Sequence, residues 1–215
     1  MKKILLSLLA LTLCIAVPNV AEAQNKQLQK ELKKEYQKKL KKIKKEGWEL
    51  FGSSRTIEVA LLTHYEKLND DKVTEVFGTA VSTNKNIGKD KIQMSACTSY
   101  AQKCGGNIRG RIVEDMGSKI SEEEMAEFET FYAAYENNVS TQIKGELRSS
   151  FSLVRPIKIN GKDAYEFQTY YIVDEEAASR ARIRAFENAA KESAVAQKYA
   201  RQVSEFIKEG VSMEE

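Results

Sequence analysis

The residues with reactive side chains are few in this sequence and lie far apart along the chain. Histidine occurs once, as His64, and the cysteines are Cys14, Cys97 and Cys104. A metal site needs three or four ligands brought together, usually at short and regular spacings in the sequence. No such group accompanies the histidine or the cysteines, so we predict neither a metal site nor a cofactor.

Cys97 and Cys104 form an even pair, which in an oxidising compartment suggests a disulfide. Their spacing argues against one. A helix would place their Cα atoms about 10 Å apart, beyond the roughly 7 Å that a disulfide can span. We therefore interpret both as buried free thiols that pack as small apolar side chains.

The sequence contains no recognisable catalytic or phosphate-binding motif. The glycine-rich segment 105–110 is expected to follow a helix and precede a strand, the reverse of the order that phosphate binding requires. Glu122 and Glu124 fit the start of a helix, where the helix dipole favours acids. His64 is predicted to be a hydrogen-bonded residue at the boundary of the core. We predict that the protein is not an enzyme, since a hydrolase would need a cleft that joins His64 to an acid or a serine.

A group of aromatic side chains in the second half of the chain supports an alternative function. If the fold leaves space between sheet and helices, these rings would line the pocket of a periplasmic domain that binds a small ligand. Packing in the core is the more common role for such residues. The group consists of Tyr132, Tyr135, Tyr165, Phe167, Tyr170 and Tyr171.

Positive charge is concentrated near the N-terminus. Residues 25–46 contain ten lysines and three glutamates, whereas residues 47–215 carry 22 basic and 27 acidic side chains. An apolar residue recurs every three or four positions within this basic segment, which predicts a helix with one apolar stripe. The stripe consists of Leu28, Leu32, Tyr36, Leu40 and Ile43. We call residues 24–46 the arm.

The arm has three interpretations. Its stripe would pack on the rest of the chain or, as in a coiled coil, on a second copy of the chain. Lysine opposite leucine is also typical of a helix on an anionic membrane surface. Nucleic acid is not predicted as a partner, because no base-stacking motif follows the arm. The lysines expected to contact a membrane or a partner protein are Lys33, Lys34, Lys38, Lys41, Lys42 and Lys45.

The first 23 residues have the pattern of a cleavable signal peptide. Lys2 and Lys3 precede an apolar run over residues 4–17, and Ala21-Glu22-Ala23 supplies the small residues of a cleavage site. Lipidation at Cys14 fits poorly, because Leu13 occupies the position where a small residue is expected. We predict cleavage after Ala23 and export to the periplasm or outer membrane of a Gram-negative bacterium.

Periodicity and turn signals predict an α+β fold. Between the arm and residue 174, helices are expected over residues 53–68, 89–103 and 121–139, the last opened by a capping box of Ser121 and Glu124. Asn160-Gly161 predicts a type I′ turn between two strands. The four strands are expected over residues 72–83, 108–114, 146–159 and 163–173.

This succession predicts helices packed on one face of a small antiparallel sheet of about four strands. A long basic helix precedes the sheet in the chain, and a long C-terminal helix over residues 175–208 follows it. Arg180, Arg182 and Arg184 on that last helix are expected to form a solvated charged surface. The predicted organisation is a signal peptide (1–23), the arm (24–46) and a single α+β domain (47–215).

Three segments carry a resemblance to known proteins: WELFGSSR (48–55), FYAAYE (131–136) and ARIRAFENAA (181–190). They resemble a group of uncharacterised secreted proteins of Bacteroidetes-type bacteria, which implies export but brings no established activity. From Lys89 onward, the succession of elements also resembles the lipoprotein-twenty family of bacterial surface proteins. That family implies a dodecin-like domain with helices over a small antiparallel sheet, and it has no catalytic residues to carry over. The predicted function is that of a non-enzymatic exported envelope protein.

Overall fold

The computed structural model describes residues 17–70 and 72–208, with side chains from Lys30 onward. Most of the predicted signal peptide, including Cys14, lies outside the described residues. The chain forms two compact units, of which the first ends at Gly47 and the second begins at Trp48. This division lies one residue from the predicted boundary between arm and domain.

The described part of the first unit is dominated by one helix, α1 (Val17–Lys45). Three lysines lie in its last turn, where the negative end of the helix dipole favours cations. Gly47 follows with a φ of +71°, a conformation that residues with a Cβ rarely adopt, and its N–H donates to the carbonyl of Lys44. The predicted long basic N-terminal helix is confirmed. No helix in the described part of the chain has the length and apolar character that crossing a membrane requires.

The second unit contains a four-stranded antiparallel sheet in the order β1-β3-β4-β2. Asn160 and Gly161 connect β3 to β4 with φ values of +50° and +78°, and a type I′ turn requires both to be positive. The predicted α+β class and the hairpin turn are therefore confirmed. The strands are β1 (Glu49–Leu50), β2 (Val73–Ser82), β3 (Arg148–Ile159) and β4 (Lys162–Asp174).

Three long helices cover one face of this sheet. They are α3 (Lys85–Met116), α4 (Glu122–Ile143) and α5 (Glu175–Ala190). α3 lies directly on β2 and β4, and α4 packs mainly against α3 and α5. The approach of α3 to β4 is close at Gly88, where a Cβ would lie 2.5 Å from the ring of Phe167. The buried apolar core lies between these helices and the sheet.

The short helix α2 (Ile57–Leu68) packs on the opposite face of the sheet. Its His64 lies 5.4 Å from the ring of Phe151 and 5.5 Å from that of Tyr170, measured between ring centroids. Successive residues of a strand point to opposite faces, so Tyr170 faces away from the side on which Phe167 meets α3. The prediction that the helices pack on one face of the sheet holds for the long helices α3, α4 and α5 but not for α2.

The predicted strand over residues 108–114 is wrong, because α3 continues through it. Tyr100, Cys104, Ile108 and Ile112 are all buried at intervals of four residues, a helical period that persists across the two glycines at 105 and 106. Gly105 packs against α4, where a Cβ would overlap the side chain of Glu136 as it is placed. The fourth strand of the sheet is instead the two-residue β1.

The C-terminal segment is helical as predicted, but it is broken into α5, α6 (Ala194–Lys198) and α7 (Ala200–Lys208). Ser193 caps α6 by accepting a hydrogen bond from the N–H of Ala196 at 3.1 Å. Glu127 of α4 accepts a further bond from the N–H of Val195 at 2.9 Å. The break is stable because these side chains satisfy backbone groups that a continuous helix would have paired internally.

The beginning of α4 is as predicted. Ser121 Oγ accepts a hydrogen bond from the N–H of Glu124, and a carboxylate oxygen of Glu124 accepts one from the N–H of Ser121. This reciprocal pair is a capping box, and it satisfies two N–H groups that have no partner within the helix. The sequence therefore predicts this helix start correctly.

Candidate functional site

His64 lies on the face of α2 that packs against the sheet, where it is buried and pairs with an acid. The residue is 1% exposed, and its Nε2 lies 2.5 Å from a carboxylate oxygen of Glu75 on β2. Its Nδ1 has no hydrogen-bond partner within the described part of the chain, and aromatic rings enclose the imidazole. His64 is hydrogen-bonded as predicted, but it lies inside the packing and not at its boundary. No described serine, threonine or cysteine hydrogen-bonds to it, so the pair does not form a nucleophilic triad.

A second polar group is buried around Arg182 of α5. This side chain is 2% exposed, so its prediction as part of a solvated surface is wrong, while Arg180 and Arg184 do lie at the surface. Arg182 donates to the hydroxyl of Tyr100 at 2.7 Å and to a carboxylate oxygen of Glu175 at 2.5 Å. Burial would lower the pKa of Arg182, but these two partners raise it above its ordinary value, so the guanidinium stays charged.

The burial of Arg182 has a signal in the sequence. The residue lies three, four or seven positions from three alanines, and that spacing places all of them on one face of the helix. A helix face of small residues approaches its neighbour closely, so a long side chain on it enters the core. The alanines are Ala178, Ala185 and Ala189, and all three are buried.

Cys97 and Cys104 are both free and buried on α3, which confirms their interpretation as packed thiols on one helix. Burial raises the pKa of the Cys104 thiol to about 12 and also raises the pKa of Cys97. Only a thiolate is a nucleophile or a metal ligand, so neither thiol is reactive in the folded protein. Among the residues that the structure describes, no histidine, cysteine and carboxylate side chains converge as a metal site would require.

The aromatic residues of the alternative function do not line a common pocket. Tyr132 and Tyr135 lie in the core on α4, among the rings of Phe128 and Phe131. On β4, the rings of Tyr165, Phe167 and Tyr171 lie on the face that α3 covers, whereas the ring of Tyr170 stacks on a phenylalanine on the face that α2 covers. The expectation of an aromatic pocket between the sheet and the helices is therefore not met.

The six candidate lysines of the arm all lie exposed on α1. Among them, Lys34 forms an ion pair with Glu31, at 2.7 Å, one turn earlier on the exposed surface of the helix. An exposed pair of this kind contributes little to stability and is easily exchanged for another partner. The arm therefore presents a positive surface, as the sequence predicts. The lysines are Lys33, Lys34, Lys38, Lys41, Lys42 and Lys45.

A cavity of about 650 Å³ lies at the outer edge of β3. It is lined by residues from the β1–α2 connection, α2, the first two turns of α3, and β3. The basic side chains in its lining are Arg55, Lys67 and Lys89. No sequence pattern links these three, because they are 12 and 22 residues apart on different elements. Only the tertiary structure brings them together.

Comparison of the chain with protein-family models, with curated proteins and with solved structures found no match. The resemblances to secreted Bacteroidetes-type proteins and to the lipoprotein-twenty family therefore stay predictions. The function has to be argued from the side chains themselves.

Proposed function

We propose that the chain is an exported, non-enzymatic protein of the bacterial cell envelope, whose arm binds an anionic membrane surface through its lysines. The observation that carries this proposal is the geometry of α1. At about 100° per residue, Lys34, Lys38, Lys41 and Lys45 fall within a sector of about 60°. All four are exposed, so the arm offers a compact row of positive charge along one side of the helix.

The lysine row and the apolar stripe lie on opposite sides of the arm. The centre of the stripe lies about 180° around the helix from the centre of the row. A helix that inserted its stripe into the bilayer would turn these four lysines away from the headgroups. The arm therefore binds lipid by electrostatic attraction to the row and not through the stripe, of which Ile43 is already buried.

The rest of the chain supports a non-enzymatic role. Its nucleophilic thiols are buried and protonated, and its histidine is enclosed by aromatic rings. Burial is the largest cause of the raised pKa values of Cys104, Tyr100 and Tyr135, so these shifts reflect packing and not a reactive cleft.

The test of the arm is sedimentation of the mature chain, residues 24–215, with vesicles that contain an anionic lipid. Each lysine near such a surface contributes about 1 kcal/mol, so replacing Lys38, Lys41 and Lys45 with alanine is expected to weaken binding by about 3 kcal/mol, roughly a hundredfold. Binding by the unmodified chain is expected to fall steeply when the salt concentration is raised about tenfold, from roughly 0.05 to 0.5 M, because salt screens exposed charges.

The matched control replaces three exposed lysines of the second unit with alanine, which changes the net charge equally. Lys103, Lys119 and Lys158 serve this purpose because each is exposed. The control is expected to bind as the unmodified chain does. If both variants bind vesicles equally weakly, the net charge of the chain explains the binding, and the lysine row does not. Binding that resists salt would favour insertion of the stripe into the bilayer. If no form pellets, the arm has a protein partner, and sedimentation equilibrium would show whether that partner is a second copy.

Export is tested independently by the mass of the protein recovered from the periplasm. Cleavage after Ala23 gives a chain that begins at Gln24 and carries no lipid. A diacylated chain that begins at Cys14 would instead partition into detergent and would overturn the predicted cleavage site.

A further inference from the structure

The cavity at the edge of β3 is formed where strand pairing stops early. β1 pairs only with Leu153 and Val154 of β3, and the last hydrogen bond runs from the N–H of Phe51 to the carbonyl of Ser152 at 2.9 Å. Gly52, with a φ of +70°, then turns the chain away towards α2. The outer edge of β3 from Ser149 to Phe151 is therefore not paired with another strand, and it forms one wall of the cavity.

The described part of the lining carries positive charge only. Arg55, Lys67 and Lys89 line the cavity, and no aspartate or glutamate among the residues that the structure describes does so, although the second unit as a whole has more acidic than basic residues. None of the three cations forms a hydrogen bond or ion pair through its side chain with another described residue. Cations that converge without an acidic partner repel one another, and a bound anion relieves that repulsion.

The beginning of α3 adds to the positive potential. The helix has no acidic residue in its first turn, and Lys89 follows in the next turn, where the positive end of the helix dipole disfavours a cation. Asn84 caps the helix and accepts hydrogen bonds from two of its first N–H groups. The fold therefore satisfies the backbone at this end with a neutral side chain, and no carboxylate lies in the first turn.

Hydroxyl groups supply neutral hydrogen-bond donors around the same cavity. The residues that carry them are Ser53, Thr63, Ser149, Ser150 and Ser152. The register of β3 with β4 shifts between Ser149 and Phe151, and such a bulge re-aims the side chain at the skipped position. The Oγ of Ser150 at that position is buried and has no hydrogen-bond partner within the described part of the chain. A buried hydroxyl without a protein partner is unfavourable unless ordered water or a ligand supplies the missing hydrogen bond.

We propose that this cavity binds a small organic molecule that carries a phosphate monoester. Phosphate carries up to two negative charges and several acceptor oxygens, which suits three cations and a set of hydroxyls better than the two oxygens of a single carboxylate. Phe51, Ala60, Ile92 and Phe151 form the apolar part of the lining, against which the organic portion packs. The volume of about 650 Å³ accommodates a small organic ligand.

The experiment uses the full mature chain and glycerol 3-phosphate as the probe. Binding is followed by calorimetry and by amide chemical shifts at constant ionic strength, with sodium acetate and glycerol as comparison probes. The expected result is saturable binding of the phosphate ester, with shifts confined to the lining. A short-chain phosphatidic acid, run in parallel, distinguishes the source of the phosphate: tighter binding of the lipid indicates a headgroup site, and tighter binding of the glycerol ester indicates a free metabolite.

Two variants separate a ligand site from a structural role. Lys89→Gln and Ser150→Ala are each expected to weaken binding of the phosphate ester about tenfold, the effect expected when a charge-assisted hydrogen bond is lost. Neither is expected to lower stability, because the first removes an unfavourable charge and the second an unpaired hydroxyl. A merely structural residue would show the reverse pattern. Lys103→Gln, on the exposed surface of the same helix, is the matched control and is expected to leave binding unchanged.

Three outcomes would overturn the proposal. They are a response to acetate equal to that of the phosphate ester, shifts spread over all exposed lysines, and equal weakening by Lys103→Gln. The proposal does not rest on the arm, since every lining residue belongs to the second unit. The variant without the arm lysines is expected to lose vesicle binding and to bind the phosphate ester as the unmodified chain does.

Discussion

The helical conformation of residues 108–114 can be tested by comparing two substitutions at the same exposed glycines. Gly106 and Gly110 lie in the interior of α3, neither has a positive φ, and a Cβ at either would meet no atom within 4 Å. A Cβ therefore fits at both positions without overlap. Helices favour alanine, whereas strands favour β-branched residues such as threonine.

The expected magnitudes follow from helix propensities. Replacing each glycine with alanine is expected to raise the free energy of unfolding by about 1 kcal/mol, or about 2 kcal/mol for the double variant. For a domain of this size, that gain raises the melting temperature by about 4–8 °C. The double threonine variant is expected to be less stable than the double alanine variant by about 1.2 kcal/mol, because threonine loses side-chain freedom against the preceding helical turn.

The assay is urea unfolding followed by circular dichroism, with all variants fitted to a common slope. The informative quantity is the difference in free energy of unfolding between the alanine and threonine variants, since glycine is unfavourable in both a helix and a strand and its replacement alone does not distinguish them. A threonine variant more stable than the alanine variant would refute the helix and restore the strand that the sequence pattern suggests.

Three further predictions concern the core. Gly88→Ala is expected to lower the free energy of unfolding by about 1–3 kcal/mol, because the new Cβ would overlap a buried phenylalanine of β4; urea unfolding measures it. Tyr100→Phe is expected to cost about 1.5–3 kcal/mol, since it leaves a buried N–H of Arg182 without a partner, and an unchanged unfolding midpoint would contradict the buried pair. Cys97 and Cys104 are expected to resist a disulfide thiol reagent at pH 8 and to give two equivalents in urea, because burial raises both pKa values; rapid labelling of the folded chain would show that the thiols are accessible.

Local patterns were reliable where one segment contained all the information that its structure needed. The capping box at Ser121 and Glu124 and the turn at Asn160-Gly161 each depend on a few adjacent residues, and both form as predicted. The lysine-rich helix is also local, because its period of three to four residues repeats without interruption. In each of these cases the residues that determine the local structure are close together in the sequence.

The errors share a different cause. Gly105-Gly106 signals a helix end, yet α3 continues, because the burial of Tyr100, Cys104, Ile108 and Ile112 on one face outweighs the low helix propensity of glycine. The C-terminal helix breaks at Ser193 because Glu127, distant in the sequence, accepts a hydrogen bond from the backbone there. Neither that burial nor that partner can be read from the segment itself.

By itself, the sequence determined the α+β class, the basic arm and its exposed lysine face, since periodicity and charge are properties of the chain. Only the tertiary structure decided that Arg182 is buried, that α2 takes the other face of the sheet, and that a cavity opens at the edge of β3. The physical reason is that burial and convergence depend on contacts between residues far apart in the chain. Arg55, Lys67 and Lys89 line one cavity because the β1–α2 connection, α2, α3 and the edge of β3 surround the same space, and no spacing in the sequence encodes that arrangement.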